Sequence, residues 1–139
     1  MKSVKEMYDY NKNNDYGVNI NEKMTYNTFA YCAKQLKENE DVKMSFVGIL
    51  YYQASAQFTS WYGVLITDQR ILVSLYGFFN KEHHAFSLSD YTHVDIDETS
   101  SKHAIQFIGE QHTLSIGVLS HRSLDIVNDI VSKTDLVKR

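Results

Sequence analysis

The stretch Trp61–Gly77, WYGVLITDQRILVSLYG, is two apolar runs split by Thr-Asp-Gln-Arg, and no other feature constrains the fold so strongly. Apolar positions that are contiguous, instead of recurring every three or four residues, argue for buried strands and against an amphipathic helix. With Asp68 and Gln69 at the break, the pattern describes a β-hairpin with strands Trp61–Thr67 and Arg70–Tyr76. Asp68 can accept from backbone amides there, and Arg70 at the strand mouth can reach a turn carbonyl or Asp68. Both are therefore expected to serve the turn.

The flanking sequence reads as more of the same sheet. VKMSFVGILYYQ, Val42–Gln53, opens with alternating Val42, Met44 and Phe46 and then turns apolar on both faces, as in a strand entering a sheet. The small-residue stretch ASAQFTS connects it to the hairpin. Beyond a loop at Gly77–Lys81, strands are expected over Glu82–Leu88 and Tyr91–Asp97. In the second of these Val94 and Ile96 face one way, and His93, Asp95 and Asp97 the other. Ile105 and Phe107, then Leu114, Ile116 and Val118, mark two further strands.

Two segments have helical spacing. Tyr26, Phe29, Ala33 and Leu36 make one stripe of a helix over residues 22–39. Leu124, Val127, Ile130 and Val131 make another over residues 120–136, with Ser120 or Ser123 as N-cap and Asp125 in the first turn. Residues 1–21 lack a sustained period and read as a flexible lead-in with one helical turn near Val4–Tyr8. The expectation is an α+β, mainly β chain: one domain over 22–139, with a sheet over 42–118, a helix before it and a helix closing it.

Seven antiparallel strands followed by one amphipathic helix is the order of the pleckstrin-homology (PH) like fold. GVLITDQRILVS resembles the bacterial branch, in which a strand, a short Thr-Asp/Asn-x-Arg turn and an apolar strand recur. With LKENEDVKMSFVGIL before it and FSLSDYTHVDID after it, the chain is most similar to YokE-like bacterial PH domains, over about Tyr26–Lys133. The resemblance implies a bent, nearly closed sheet or barrel plugged by the C-terminal helix, and a binding or assembly role. In phosphoinositide-binding eukaryotic members the loop between the first two strands supplies basic residues. Here that loop, QASAQFTS, has none, which removes the usual grip on a phosphorylated headgroup.

Charge narrows the partners. The 14 Lys and Arg residues are scattered among 17 Asp and Glu, for a net charge of −3, which disfavours nucleic acid and makes membrane attachment a weak prospect. A lone Cys32, no secretory leader pattern and no long apolar window lead to the expectation of a soluble cytoplasmic protein. No phosphate loop, zinc-protease or nucleophile-elbow motif occurs, and no cofactor or catalysis is expected. HVDID offers His93, Asp95 and Asp97 as metal ligands, completed by His83 or His84 if those converge, but a solvated strand face explains them equally. Cys32 reads as a core residue.

The aromatic residues are left as candidates for partner binding: Tyr76, Phe78 and Phe79 around YGFFN, and Phe58 and Trp61 around the first connection. Phe78 and Phe79 can fold back on the sheet or project, and at least one is expected at an interface. The leading expectation is a non-enzymatic module that binds a protein, as adaptor or inhibitor, or assembles with itself. The alternative is a peripheral membrane protein with Phe78 and Phe79 as a wedge beside Lys81. A remoter one is a metal-dependent enzyme using His93 and Asp95.

Overall fold

A computed structural model describes residues 1–50, 60–99 and 101–139. The hairpin forms as its two apolar runs require: β1 (Val42–Leu50) pairs with β2 (Tyr62–Thr67), which pairs with β3 (Arg70–Tyr76), Ile66 opposite Ile71. With β4 (Lys81–Ser87), β5 (His93–Asp97), β6 (His103–Ile108), β7 (Thr113–Val118) and β8 (Val137–Lys138), the strands make one sheet. Its order is β4-β3-β2-β1-β7-β6-β5-β8. Seven strands are the expected ones. The eighth, two residues long and parallel to β5, is an addition supplied by the chain after the last helix, and among the described residues the sheet stays open rather than closing into a barrel.

β1 joins the two halves of the sheet. Its residues through Gly48 pair with β2, and Ile49 and Leu50 pair with β7. Gly48 stands at the changeover, where a Cβ would lie 2.5 Å from Ile116 Cγ2 and 3.0 Å from the Gly117 carbonyl oxygen, so only glycine lets β7 come this close.

The unbroken apolar character of β1–β3 comes from burial on both faces. Met44, Phe46, Val64, Ile66, Ile71 and Val73 join Ile105, Phe107, Leu114 and Ile116 in the main core. On the reverse face Val42, Val47, Leu65 and Leu72 meet Met7, Phe29 and Cys32 in a second core. Each such side chain, fully withdrawn from water, contributes about 1.5–3 kcal/mol, so the second layer is a substantial part of the fold.

That layer is α1 (Val4–Asn13) and α2 (Glu22–Ala33), and α1 replaces the flexible lead-in expected for residues 1–21. Met7 and Asn11 are each 2% exposed. Polar bonds hold the segment: Ser45 Oγ donates to the Met7 carbonyl at 2.6 Å, Asn11 Nδ2 to the Gly17 carbonyl at 2.8 Å, and Asn19 Nδ2 to Thr28 Oγ1 at 2.9 Å. Val4, Met7 and Tyr8 also meet the second core, a stripe too short to stand out as a sustained period among the asparagines that complete the anchor. The helix is capped by a Ser-x-x-Glu box, in which the Glu6 amide donates to Ser3 Oγ at 3.1 Å.

α2 ends at Ala33, short of the expected Asn39. The Gln35 carbonyl, which a continuing helix would offer to the amide four residues on, instead accepts from Arg70 Nη2 at 2.9 Å. Its inward face is Thr25, Thr28, Phe29 and Cys32. Tyr26 is 39% exposed and packs edge-on against Tyr8 of α1, 5.6 Å between ring centres.

Arg70 and Asp68 are turn residues, but not with each other. Thr67 Oγ1 takes the Gln69 and Arg70 amides, at 3.0 and 2.8 Å. Asp68 Oδ1 accepts the Asp41 amide at 3.0 Å, and Arg70 holds Glu40. The hairpin turn is thereby stapled to the segment that leads into β1.

The closing helix, α3 (Ser123–Lys133), is shorter than expected because Ser120–Arg122 form a 3-10 turn and the residues after Lys133 leave for β8. Neither serine caps it through its side chain: Ser123 Oγ donates to the Ser120 carbonyl. Its stripe is Ile126, Val127 and Ile130, all fully buried, while Leu124 is 51% exposed. A polar knot ties α3 to α1: Tyr10 donates to Asp129, Tyr16 donates to Asp129 Oδ2 at 3.2 Å, and Lys133 Nζ donates to Asp129 Oδ1 at 2.6 Å.

Candidate interaction surface

The free end of the β3–β4 hairpin carries the strongest candidate. Tyr76 pairs with Lys81, and the Gly77 amide donates to the Asn80 carbonyl at 2.8 Å, closing a loop with Phe78 and Phe79 at its tip. Both rings project: Phe78 is 82% and Phe79 104% exposed. Neither folds back onto the sheet, because the loop closes on itself directly beyond the paired residues.

Below the tip, strand register gathers aromatic residues that are far apart in sequence. Continuing the β2–β3 register two residues past Gly63 and Ser74 sets Trp61 opposite Tyr76, on the same face as Leu65 and Leu72. Trp61 and Tyr76 are half-buried, and Tyr31 of α2 lies 5.8 Å from the Tyr76 ring. Lys81 stands 5.0 Å from the centre of the Tyr76 ring and Lys102 stands 4.7 Å from that of Trp61, both in cation–π range. Of the expected partner-binding residues, Trp61, Tyr76, Phe78 and Phe79 thus share one end of the molecule. Phe58 lies outside the described residues, as does most of the first connection. Tyr31 and Lys102 carry no sequence signal for this surface, since only tertiary packing brings them here.

The alternative metal set does not assemble. β4, with His83 and His84, is at one end of the strand order and β5, with His93, Asp95 and Asp97, is next to last at the other, so the two are not neighbours. Their side chains have separate local partners: His83 Nδ1 meets Ser74 Oγ at 2.9 Å, His93 Nδ1 meets Thr92 Oγ1 at 2.8 Å, and Asp97 Oδ1 accepts from Thr99. Among the described residues no group of three His, Cys, Asp or Glu side chains is placed to hold an ion. Cys32 is fully buried on the inward face of α2, and burial pushes its thiol up to about 12, which suppresses the thiolate.

The described residues form a three-layer arrangement of helices, open sheet and C-terminal helix, with an aromatic loop tip. A family described as bacterial PH domain matches residues 36–133, and the chain belongs to that family, whose domains are generally non-enzymatic. α1 and α2 therefore precede the family span. Among solved structures, the hSac2 domain from human phosphoinositide phosphatase Sac2 superposes with a TM-score of 0.52 at 9% identity, covering 85% of this chain and 89% of that one. At that identity the likeness concerns the fold alone, which is PH-like. Comparison with curated proteins gives no match. No helix among the described residues is long and apolar enough to cross a membrane.

Proposed function

We propose that this bacterial PH domain is a non-enzymatic cytoplasmic binding module that engages a protein partner, as adaptor, inhibitor or self-assembling unit, through the aromatic end of the sheet. The observation that carries this reading is the exposure of Phe78 and Phe79, at 82% and 104%, on a closed hairpin tip. Two fully hydrated phenyl rings stabilise nothing within the monomer, and adjacent apolar rings at a protruding tip are the kind of anchor that dominates protein interfaces. Trp61, Tyr76 and Tyr31 form the shoulder beside them, with Lys81 and Lys102 at its edge.

The test is affinity capture with the wild type and with a Phe78→Ser, Phe79→Ser variant. Capture of a defined protein by the wild type alone, with thermal stability unchanged in the variant, supports the reading. Equal capture by both removes the tip from the interface. A second reading, docking on a lipid surface, is favoured by the two lysines stacked on Trp61 and Tyr76 behind an apolar wedge. Co-sedimentation with phosphatidylserine-containing vesicles, lost in the variant, would replace the protein partner with a membrane.

A further inference from the structure

We infer that the pocket at the α1–α2 junction binds a primary ammonium group, the head of a lysine side chain presented by a partner protein. It is a different site from the aromatic tip and stands independently of the role given to that tip.

The observation that carries it is an orphaned oxygen. Asn11 is 2% exposed and its Nδ2 donates to the Gly17 carbonyl at 2.8 Å, but no donor among the described residues reaches its Oδ1. Nearly every buried acceptor in a folded protein is paired, so one left open points to a donor from outside the chain. Asn11 lines a small pocket together with Tyr8, Gly17, Val18 and Thr25, and that pocket is the way in.

Size and charge select the occupant. The pocket offers about 80 Å³, room for a few waters, whereas about 150 Å³ is needed to accept a benzene ring. Only the end of a side chain or a very small ligand enters, and an acceptor inside excludes an anion. At the mouth stand Glu22 and Asp15, with side chains 71% and 62% exposed. Glu22 directs Oε1 to Lys12 and Asp15 directs Oδ2 to Arg122, which leaves Glu22 Oε2 and Asp15 Oδ1 as acceptors. With Asn11 Oδ1 they match the three N–H donors of an ammonium.

The chain's own lysine shows that an ammonium is at home here. Lys12 Nζ lies 5.8 Å from the centre of the Tyr8 ring, within cation–π range. It stays at the mouth, 3.1 Å from Glu22, and leaves Asn11 Oδ1 unmet. Two carboxylates against this one ammonium keep the mouth attractive to a second. Val18, 53% exposed, borders the opening and covers the methylene stem of an incoming lysine.

Magnitude favours a protein side chain over a free amine. Methylammonium has two heavy atoms, and the ceiling of ligand efficiency gives such a ligand a Kd of about 6 mM. A lysine on a folded partner adds the contacts of its own surface to the same head group.

The experiment is a titration of the isotope-labelled full chain with Nα-acetyl-lysine methylamide at constant ionic strength, followed by amide chemical shifts. The Nε-acetylated form of the compound, which carries no charge, and methylammonium chloride are titrated in parallel. The lysine compound is expected to shift the Asn11 side-chain amide and the Gly17, Val18 and Thr25 backbone amides with a Kd of roughly 1–50 mM. Methylammonium should shift the same amides more weakly, and the acetylated compound should not shift them. Asp15→Asn with Glu22→Gln, both on exposed side chains, should weaken binding about fivefold or more, the dispersion of the spectrum confirming that the variant is folded. Shifts scattered over the surface, an equal response to the acetylated compound, or unchanged affinity in the variant would overturn the inference. So would a response to methylammonium alone, which assigns the pocket to a free amine, or no response at all, which leaves Asn11 Oδ1 to water.

Discussion

Arg70 grips Glu40 through two hydrogen bonds, Nε to Oε2 at 2.9 Å and Nη2 to Oε1 at 2.5 Å, and with the same Nη2 reaches the Gln35 carbonyl at 2.9 Å. The Glu40 carboxylate is wholly withdrawn from solvent and also accepts from Thr67 Oγ1 at 2.7 Å and the Lys37 amide at 3.1 Å. One arginine therefore closes the β2–β3 turn, ends α2 and fixes the entry to β1.

Arg70→Met is expected to destabilise the fold by about 3 kcal/mol, because it leaves a buried carboxylate without its cation. Urea denaturation measures this. A loss below about 1 kcal/mol would show that the pair is an ordinary surface bridge.

The same carboxylate makes stability depend on acid. Burial by itself would raise the Glu40 carboxyl, but hydrogen bonds from Arg70, the Lys37 amide and Thr67 hold it at about 2, below the ordinary 4.5. A folded value below the unfolded one stabilises fully above pH 4.5, and the contribution disappears as pH falls toward 2. Between those limits the wild type should lose more stability than Glu40→Gln, by on the order of 3 kcal/mol. Parallel curves for the two proteins would refute the assignment.

Asp129 is the acceptor that ties α1 to the closing helix, through Tyr10, Tyr16 and Lys133. Asp129→Ala should loosen α1 first, since Met7 is its one fully buried apolar side chain, with Val4 and Tyr8 only partly covered. Amide exchange in Val4–Asn13 is expected to accelerate about tenfold or more, with β2 and β3 amides unchanged. Uniform acceleration throughout the chain would mean that α1 and the sheet open together.

Cys32 should be inert in the native protein. Its thiol is buried and raised to about 12, so a thiol reagent at neutral pH is expected to react only as fast as the second core opens, with urea accelerating the reaction. Rapid stoichiometric labelling without denaturant would show that α2 lifts readily from the sheet.

Strand alternation and the Asp68–Gln69 break made the antiparallel sheet and its central hairpin legible, because side chains alternate with a period of two whatever lies beyond them. The closing helix was legible for a similar reason, though its stripe came out rotated: Leu124 and Ile126 are equally apolar, and only the crossing over the sheet chooses Ile126 for the core. The aromatic candidates were visible as residue types. Their gathering at one end was not, since it depends on register and on Tyr31 and Lys102 arriving from other elements.

What the sequence by itself determined is therefore local: which residues alternate, where the hairpin turns, and that no contiguous motif for catalysis is present. Tertiary structure alone decided that residues 4–13 form a packed helix, that Arg70 holds Glu40 instead of Asp68, and that the His and Asp side chains of β4 and β5 stay apart. The physical reason is common to all three. Each depends on how distant parts of the chain are set against one another, and polar side chains, whose partners are chosen by that geometry, leave no periodic trace from which the partner could be read.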